Sequence, residues 1–344
     1  MELQQLHQRD EHLFVGFAES RIGGRAENQD SYGYANTERG FLLTICDGMG
    51  GGPGGKTAST IAVNEIIDGI DGASKDEEVC NIIIKAIRRA NMAIIEAGKE
   101  NPALQGMGST ATVLLLSEQS AVVAYVGDSR IYQIRGRKKV FRTFDHSLVF
   151  DLVKQKVITE EQARLSAQSN VITRALGIEP DVQVDIQELP YERGDRFVLC
   201  SDGIHGVVPE KELIKMLAEK KPIGVVTDTI ATHIDNLGRI NGGNHDNLTL
   251  AIVETKKKSI LKPAMSRQAK IIITLLSAIC LISVATNFVQ CSRYDKNLEY
   301  MVSIDSLERY KQHDQNNQKT IKSLSDSVKR MQAKLEKIKK VTNN

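Results

Sequence analysis

The sequence lacks any cysteine pattern that would suggest cross-linking. Cys46, Cys80, Cys200, Cys280 and Cys291 show none of the short paired spacings of a disulfide framework or a zinc site, so a reducing compartment is expected for most of the chain. It also lacks net charge, at +2 over 344 residues, and compositional bias, with 41% hydrophobic and 26% charged residues. These values exclude a disordered or collagen-like chain, and the length leaves room for a large buried core.

The small net charge conceals a division. Residues 1–255 carry 27 Lys and Arg against 36 Asp and Glu, a net of −9, whereas residues 256–344 carry 18 against 7, a net of +11. An acidic front half argues against nucleic acid as a partner, because that interaction depends on cationic surface facing phosphates. The two halves are expected to do different work.

In the front half, residues 41–46, 110–116, 121–126, 196–200 and 248–253 are rich in β-branched or aliphatic side chains and are expected to be strands. Residues 57–70, 76–98 and 222–237 repeat apolar positions near the 3.6-residue period and predict helices. Strands follow strands and helices follow helices. That order disfavours a doubly wound parallel sheet and points to an α+β domain with antiparallel sheet.

A basic linker, residues 256–270, is followed at 271–292 by IIITLLSAICLISVATNFVQCS, which contains no charged residue. At about 1.5 Å per residue this stretch is long enough for the roughly 30 Å of a bilayer's hydrocarbon core and is expected to be a transmembrane helix. Thr274, Ser277, Ser283, Thr286 and Asn287 make it only moderately apolar, so a buried core helix or an amphipathic anchor stays open. Its internal, late position excludes a cleavable signal peptide. Six Lys or Arg lie in the 15 residues before it, and only Arg293 and Lys296 in the 15 after. Positive flanks stay cytoplasmic, which predicts a single-pass cell-membrane protein with the N-terminal domain cytoplasmic and the tail outside. In that tail, residues 293–344, Ile321, Leu324, Val328, Met331, Leu335 and Ile338 alternate steps of three and four, as a coiled-coil seam does. Polar Asp314 and Asn317 interrupt the register further back, so a self-associating stalk, a solvated helix and a disordered tail all remain open.

Five aspartates lie in short, mostly glycine-containing segments at the ends of expected strands: Asp30 in GGRAENQD, Asp47 in FLLTICDGMGG, Asp128 in YVGDSR, Asp202 in FVLCSDG and Asp246 in NHDNLTLAIV. A single Asp-Gly is usually a turn. Several at the edge of one sheet can converge, and their mutual repulsion then calls for a hard cation such as Mg²⁺ or Mn²⁺.

The ordered set GGRAENQDS, CDGMGG followed by GKTAS, GMGSTAT, AYVGDSRIY, FRTFDHS, NVITRALG, DRFVLCSDGI and HDNLTLAIV resembles the metal-dependent protein serine/threonine phosphatases (PPM, type 2C) of bacterial type, over roughly residues 14–253. The resemblance implies a four-layer sandwich of two antiparallel sheets flanked by helix pairs. It implies that Asp47 bridges two Mn²⁺ or Mg²⁺ ions, that Gly48 lends its carbonyl, and that Asp202 and Asp246 complete the second site. Asp30 would act through bound water, and Asp128 with Asp202 would form the third, weaker site of many members. Arg25 would grip the substrate phosphate, and Asp145, His146 and Ser147 would open a flap over residues 145–177. Two metals about 3.5–4 Å apart lower the pKa of a shared water, and the resulting hydroxide would attack phosphorus in line.

Two positions depart from the family pattern. Met49 stands where animal relatives carry a histidine proposed as general acid, so the leaving oxygen would take its proton from metal-bound water; bacterial members commonly share this Met. Gly52 stands where a histidine usually follows the glycines. The reading is therefore a membrane-tethered phosphatase of phosphorylated proteins, opposing a Ser/Thr kinase. A catalytically silent scaffold and a phosphatase of other phosphoesters are the alternatives.

Overall fold

A computed structural model describes residues 3–7, 13–50, 54–74, 76–261, 275–287 and 304–342. The chain divides into two units, Met1–Leu261 and Lys262–Asn344.

Among the described residues of the first unit, the strands form two antiparallel sheets. One runs β1 (Gln4–Leu6), β2 (Phe14–Arg21), β12 (Leu248–Thr255), β11 (Asp195–Cys200), β8 (Arg130–Arg135), β9 (Lys138–Arg142). The other runs β10 (Asp185–Leu189), β7 (Ala121–Val126), β6 (Ala111–Leu116), β4 (Gly40–Met49), β3 (Asp30–Thr37), with β5 (Gly108–Ser109) on the end of β4.

Side-chain alternation explains the layering. In β6, Leu114 and Leu116 enter the core between the sheets, while Val113 and Leu115 enter a second core under helices α1 (Gly54–Asp71) and α2 (Val79–Glu100). In β12, Ala251 and Val253 face the inter-sheet core, and Leu250 and Ile252 meet α6 (Glu210–Leu217) and α7 (Ile223–Ile240). Strands sandwiched in this way are apolar on both faces, which is why they read as continuous hydrophobic runs. The expected α+β antiparallel architecture is present.

The contacts of this unit continue past residue 255. The Lys256 N–H reaches the Leu13 carbonyl at 2.8 Å, and Ser259 N–H the Tyr191 carbonyl at 2.9 Å. The segment expected as a flap contains α3 (Leu148–Lys154) and α4 (Glu160–Arg164) over a small apolar cluster of Val149, Phe150 and Ala163.

The described residues cover the expected transmembrane span only in part. Residues 275–287 are helical, but 13 residues give only about 20 Å, short of a bilayer core, and residues 271–274 and 288–292 of the expected span lie outside the described residues. Among the described residues no helix is long and apolar enough to cross a membrane. In the tail, Ile304–Thr342 is a single helix on which Leu307 and Ile321 are exposed; residues 293–303 lie outside the described residues.

Candidate active site

Asp47 sits near the end of β4, directly opposite Asp30 at the start of β3. Its backbone is pinned on both sides. The Asp47 N–H donates to Thr110 Oγ1 at 2.9 Å, and its carbonyl accepts from Thr110 N–H at 2.8 Å and Ser109 Oγ at 3.1 Å. At Gly48 a Cβ would lie 1.9 Å from the Gly55 carbonyl oxygen, so only glycine lets β4 run against the start of α1. The Asp47 carboxyl is buried and feels the charges of Asp30 and Asp202, then of Asp128 and Asp246.

The opposite wall comes from the other sheet. Asp202 opens the short helix α5 (Asp202–His205) where β11 ends, and Asp246 lies two residues before β12 begins. Between them, Asn247 ties the loop of residues 22–29 in place: its Oδ1 accepts from Gln29 N–H at 2.9 Å, and its Nδ2 donates to the carbonyls of Ile22 at 2.8 Å and Glu27 at 3.0 Å. That loop carries Arg25, whose Nη2 donates to Asp246 Oδ2 at 3.0 Å. Both side chains of this pair are partly exposed. Asn247 was not singled out in the sequence, although it directly follows Asp246 in the HDN stretch.

Asp128 lies in the turn between β7 and β8. Two residues on, Arg130 makes a buried two-pronged ion pair with Asp145, Nε to Oδ1 at 2.7 Å and Nη2 to Oδ2 at 2.6 Å. His146 Nδ1 accepts from Gly127 N–H at 3.1 Å, which leaves its Nε2–H to donate to Asp185 at 3.3 Å, and the ring stacks on Tyr125 at 4.9 Å. Ser147 caps α3. Asp145, His146 and Ser147 thus anchor the start of the segment 145–177, expected as a flap, and Asn170 and Ile172 from further along it line the cavity.

The cavity has a volume of about 510 Å³, and Arg25, Asp47, Gly48, Asp128, Asp202 and Asp246 line it together, beside Met49. Asp30 lies behind Asp47, 2% exposed; its Oδ2 accepts from Ser201 Oγ at 2.8 Å, and its Oδ1 is buried without a hydrogen-bond partner. Gly52 lies outside the described residues. A larger cavity of about 690 Å³ contains none of the five aspartates, and its cations Lys139 and Arg142 are spent on Glu160 and Glu210.

Burial pushes Asp30 up to about 6, against hydrogen bonds from Thr249 and Ser201 that favour its charged form. Burial, then repulsion by Asp246 and Asp30, lifts Asp202 to about 7. Asp47 and Asp128 are raised well above the usual carboxylate range, again by burial first and then by neighbouring aspartates. The carboxylates ring the cavity without meeting at a point: among the described residues no three His, Cys, Asp or Glu side chains stand close enough to hold one ion between them. The donor chemistry nevertheless fits a hard divalent cation, since buried oxygens of one charge, one of them unpartnered, are stabilised by it and by little else here.

A profile of the protein phosphatase 2C family matches residues 19–235. The serine/threonine phosphatase Stp of Listeria innocua is 32% identical over 234 residues, covering 67% of this chain and 91% of that protein. The crystal structure of the serine/threonine phosphatase Stp1 from Staphylococcus aureus superposes with a TM-score of 0.62 at 29% identity, covering 72% of this chain and 99% of that one. The catalytic domain of the serine/threonine phosphatase PstP, in complex with two manganese ions, superposes at 0.58 with 28% identity, covering 71% and 98%. With the ring of aspartates at the sheet edges and this extent of likeness, the chain belongs to the protein phosphatase 2C family and is a metal-dependent phosphoprotein phosphatase.

Proposed function

We propose that the protein hydrolyses phosphoserine and phosphothreonine in protein substrates of a Ser/Thr kinase, while tethered to the cell membrane by residues 271–292. The observation that carries the catalytic part is the single cavity shared by Asp47, Asp128, Asp202, Asp246 and Arg25. Asp47, the Gly48 carbonyl, Asp202 and Asp246 would hold two Mn²⁺ or Mg²⁺ ions, Asp30 would act from behind through water, and Asp128 with Asp202 would take a third. When bound, such a pair would activate water as the nucleophile and stabilise charge on the phosphoryl oxygens.

The chain's own groups set the rest. Arg25 presents a planar fork of donors to two phosphate oxygens, with only its Nη2 engaged by Asp246. Met49 has no proton to give, so the leaving seryl oxygen is protonated by solvent within the cavity. Asn170 and Ile172 bring the flap to the rim, where its shape selects the phosphopeptide. Phosphate release from a phosphothreonine peptide, with Mn²⁺, Mg²⁺ or excess chelator, tests this reading. Release that persists in chelator would overturn it.

The tether is supported by the charge asymmetry around residues 271–292 and by local satisfaction of polar groups. Thr286 Oγ1 donates to the Ile282 carbonyl at 2.9 Å and Asn287 Nδ2 to the Ser283 carbonyl at 2.9 Å, so these side chains place part of their hydrogen bonding within the helix. The protein should then resist carbonate extraction from membranes, and protease added outside spheroplasts should remove the tail and spare the phosphatase domain. Digestion of the phosphatase domain from outside would reverse the orientation. The seam of the tail helix offers self-association, which sedimentation of the isolated residues 293–344 would register as a dimer or larger species.

A further inference from the structure

The loop that carries Asp246 has a support that the phosphatase reading does not use. His245 is nearly buried and its Nε2 lies 2.8 Å from Asp235 Oδ1 on α7, so Nε2 carries the proton and donates it to the carboxylate. Asp235 is itself held on its other oxygen by Arg239 at 2.9 Å. The imidazole lies flat on the helix at Gly238, where a Cβ would come within 2.2 Å of the ring. A glycine inside an α-helix is unfavourable by propensity, and here it makes room for the ring.

The same residue reaches the phosphate side through its backbone. The His245 carbonyl accepts from Gly24 N–H at 2.9 Å, next to Arg25, and Arg25 in turn holds Asp246. One side chain therefore fixes a loop that bears a proposed metal ligand and braces the loop that bears the proposed phosphate ligand.

We infer that His245, seated on Gly238 and held by Asp235, is a positioning residue that sets the Asp246 carboxylate and, through Gly24, the Arg25 guanidinium. The inference rests on the metal and phosphate roles proposed above. Groups that orient a metal ligand from behind typically change metal affinity about 10–100-fold when removed.

The test is Mn²⁺ binding by calorimetry on the chelator-stripped full-length protein, with phosphopeptide kinetics at saturating Mn²⁺ beside it. His245→Ala should weaken Mn²⁺ binding roughly 10–100-fold and raise KM more than it lowers kcat. His245→Gln, whose amide nitrogen can replace the Nε2 donor, should recover most of the affinity. Gly238→Ala should weaken Mn²⁺ binding by displacing the ring, yet do no further harm in the His245→Ala background, where it should raise the melting temperature. Val226→Ala, in the core face of α7, controls for simple destabilisation: it should melt earlier and keep its Mn²⁺ affinity. Equal Mn²⁺ affinity in His245→Ala and wild type, or additive losses in the double variant, would overturn the inference. Wild-type protein that fails to bind Mn²⁺ would remove the phosphatase reading beneath it, and a wild type that binds while His245→Ala is unchanged would remove only the strut.

Discussion

The two walls of the acidic cavity hold their aspartates by different means. Asp47 is part of a strand, with its N–H and its carbonyl bonded to β5 and the residue after it, and its side chain is buried among other carboxylates. Asp246 is on a loop, its side chain 38% exposed, and it is placed by side chains from distant parts of the chain: Arg25 in front, Asn247 beside it and the His245–Asp235 pair behind. A backbone-fixed ligand is rigid whatever binds. A ligand fixed by side chains can be adjusted, and here its partner Arg25 is also the group that would meet the substrate. On the proposed roles, metal binding and phosphate binding would meet at Asp246 and not at Asp47.

The most severe way to break this contrast is at the rigid wall. Asp47→Asn keeps the shape and every backbone hydrogen bond, but removes the charge that would bridge two cations. Its kcat should fall by orders of magnitude while the protein stays folded. In chelator the variant should melt no earlier than wild type, because the neutral amide needs neither a buried charge nor a bound proton between Asp30 and Asp202. Activity near wild type would show that the bridging role lies elsewhere.

At the adjustable wall the loss should be smaller and of another kind. Arg25→Ala removes a charge-assisted partner of phosphate, worth about 1.5–3 kcal/mol, or roughly 10–100-fold. The effect should appear mainly in KM for the phosphopeptide, with a fall in kcat only as far as the pairing tightens in the transition state. It should also leave Asp246 without its 3.0 Å partner, so the Mn²⁺ affinity should change as well. Unchanged kinetics would move the phosphate site away from residue 25.

This contrast also marks how far the sequence could be read. The rigid wall was legible, because Asp47 terminates a run of β-branched and aliphatic residues and is followed by the glycine its neighbours require. The strands that are apolar on both faces, such as β6 and β12, were legible for the same reason. β8 was not, since Arg130 and Gln133 look like surface residues until Asp145 and Asp195 are found beside them. The supports of the adjustable wall were invisible, because Asn247 meets Ile22 and Glu27 only after more than two hundred intervening residues have folded between them. Asp145 and His146 stood out in the sequence, but what they touch, Arg130 and Asp185, needed the packing.

The smallest of the expected effects concerns protons. Asp30 is raised from 3.8 to about 6, chiefly by burial, so without metal the folded state keeps a proton that the unfolded chain has already lost. A raised pKa means stability that is complete below pH 3.8 and declines as pH rises through about 6. At 1.36 kcal/mol per unit the full penalty is about 3 kcal/mol, of which about half develops between about pH 5 and pH 8. Wild-type melting alone cannot isolate it, because His146 and His205, both depressed mainly by burial, must charge when the protein unfolds in acid and push in the opposite direction. The difference between Asp30→Asn and wild type removes that background. In chelator the variant should gain stability over wild type by roughly 1–2 kcal/mol on going from pH 5 to pH 8, read by urea melts. With Mn²⁺ present the gain should vanish or reverse, because a bound cation favours the deprotonated carboxylate and stabilises the folded state by mass action. A difference that stays flat with pH in chelator would mean that Asp30 is charged in the metal-free fold, and that the wall behind Asp47 is more open to water than its packing implies.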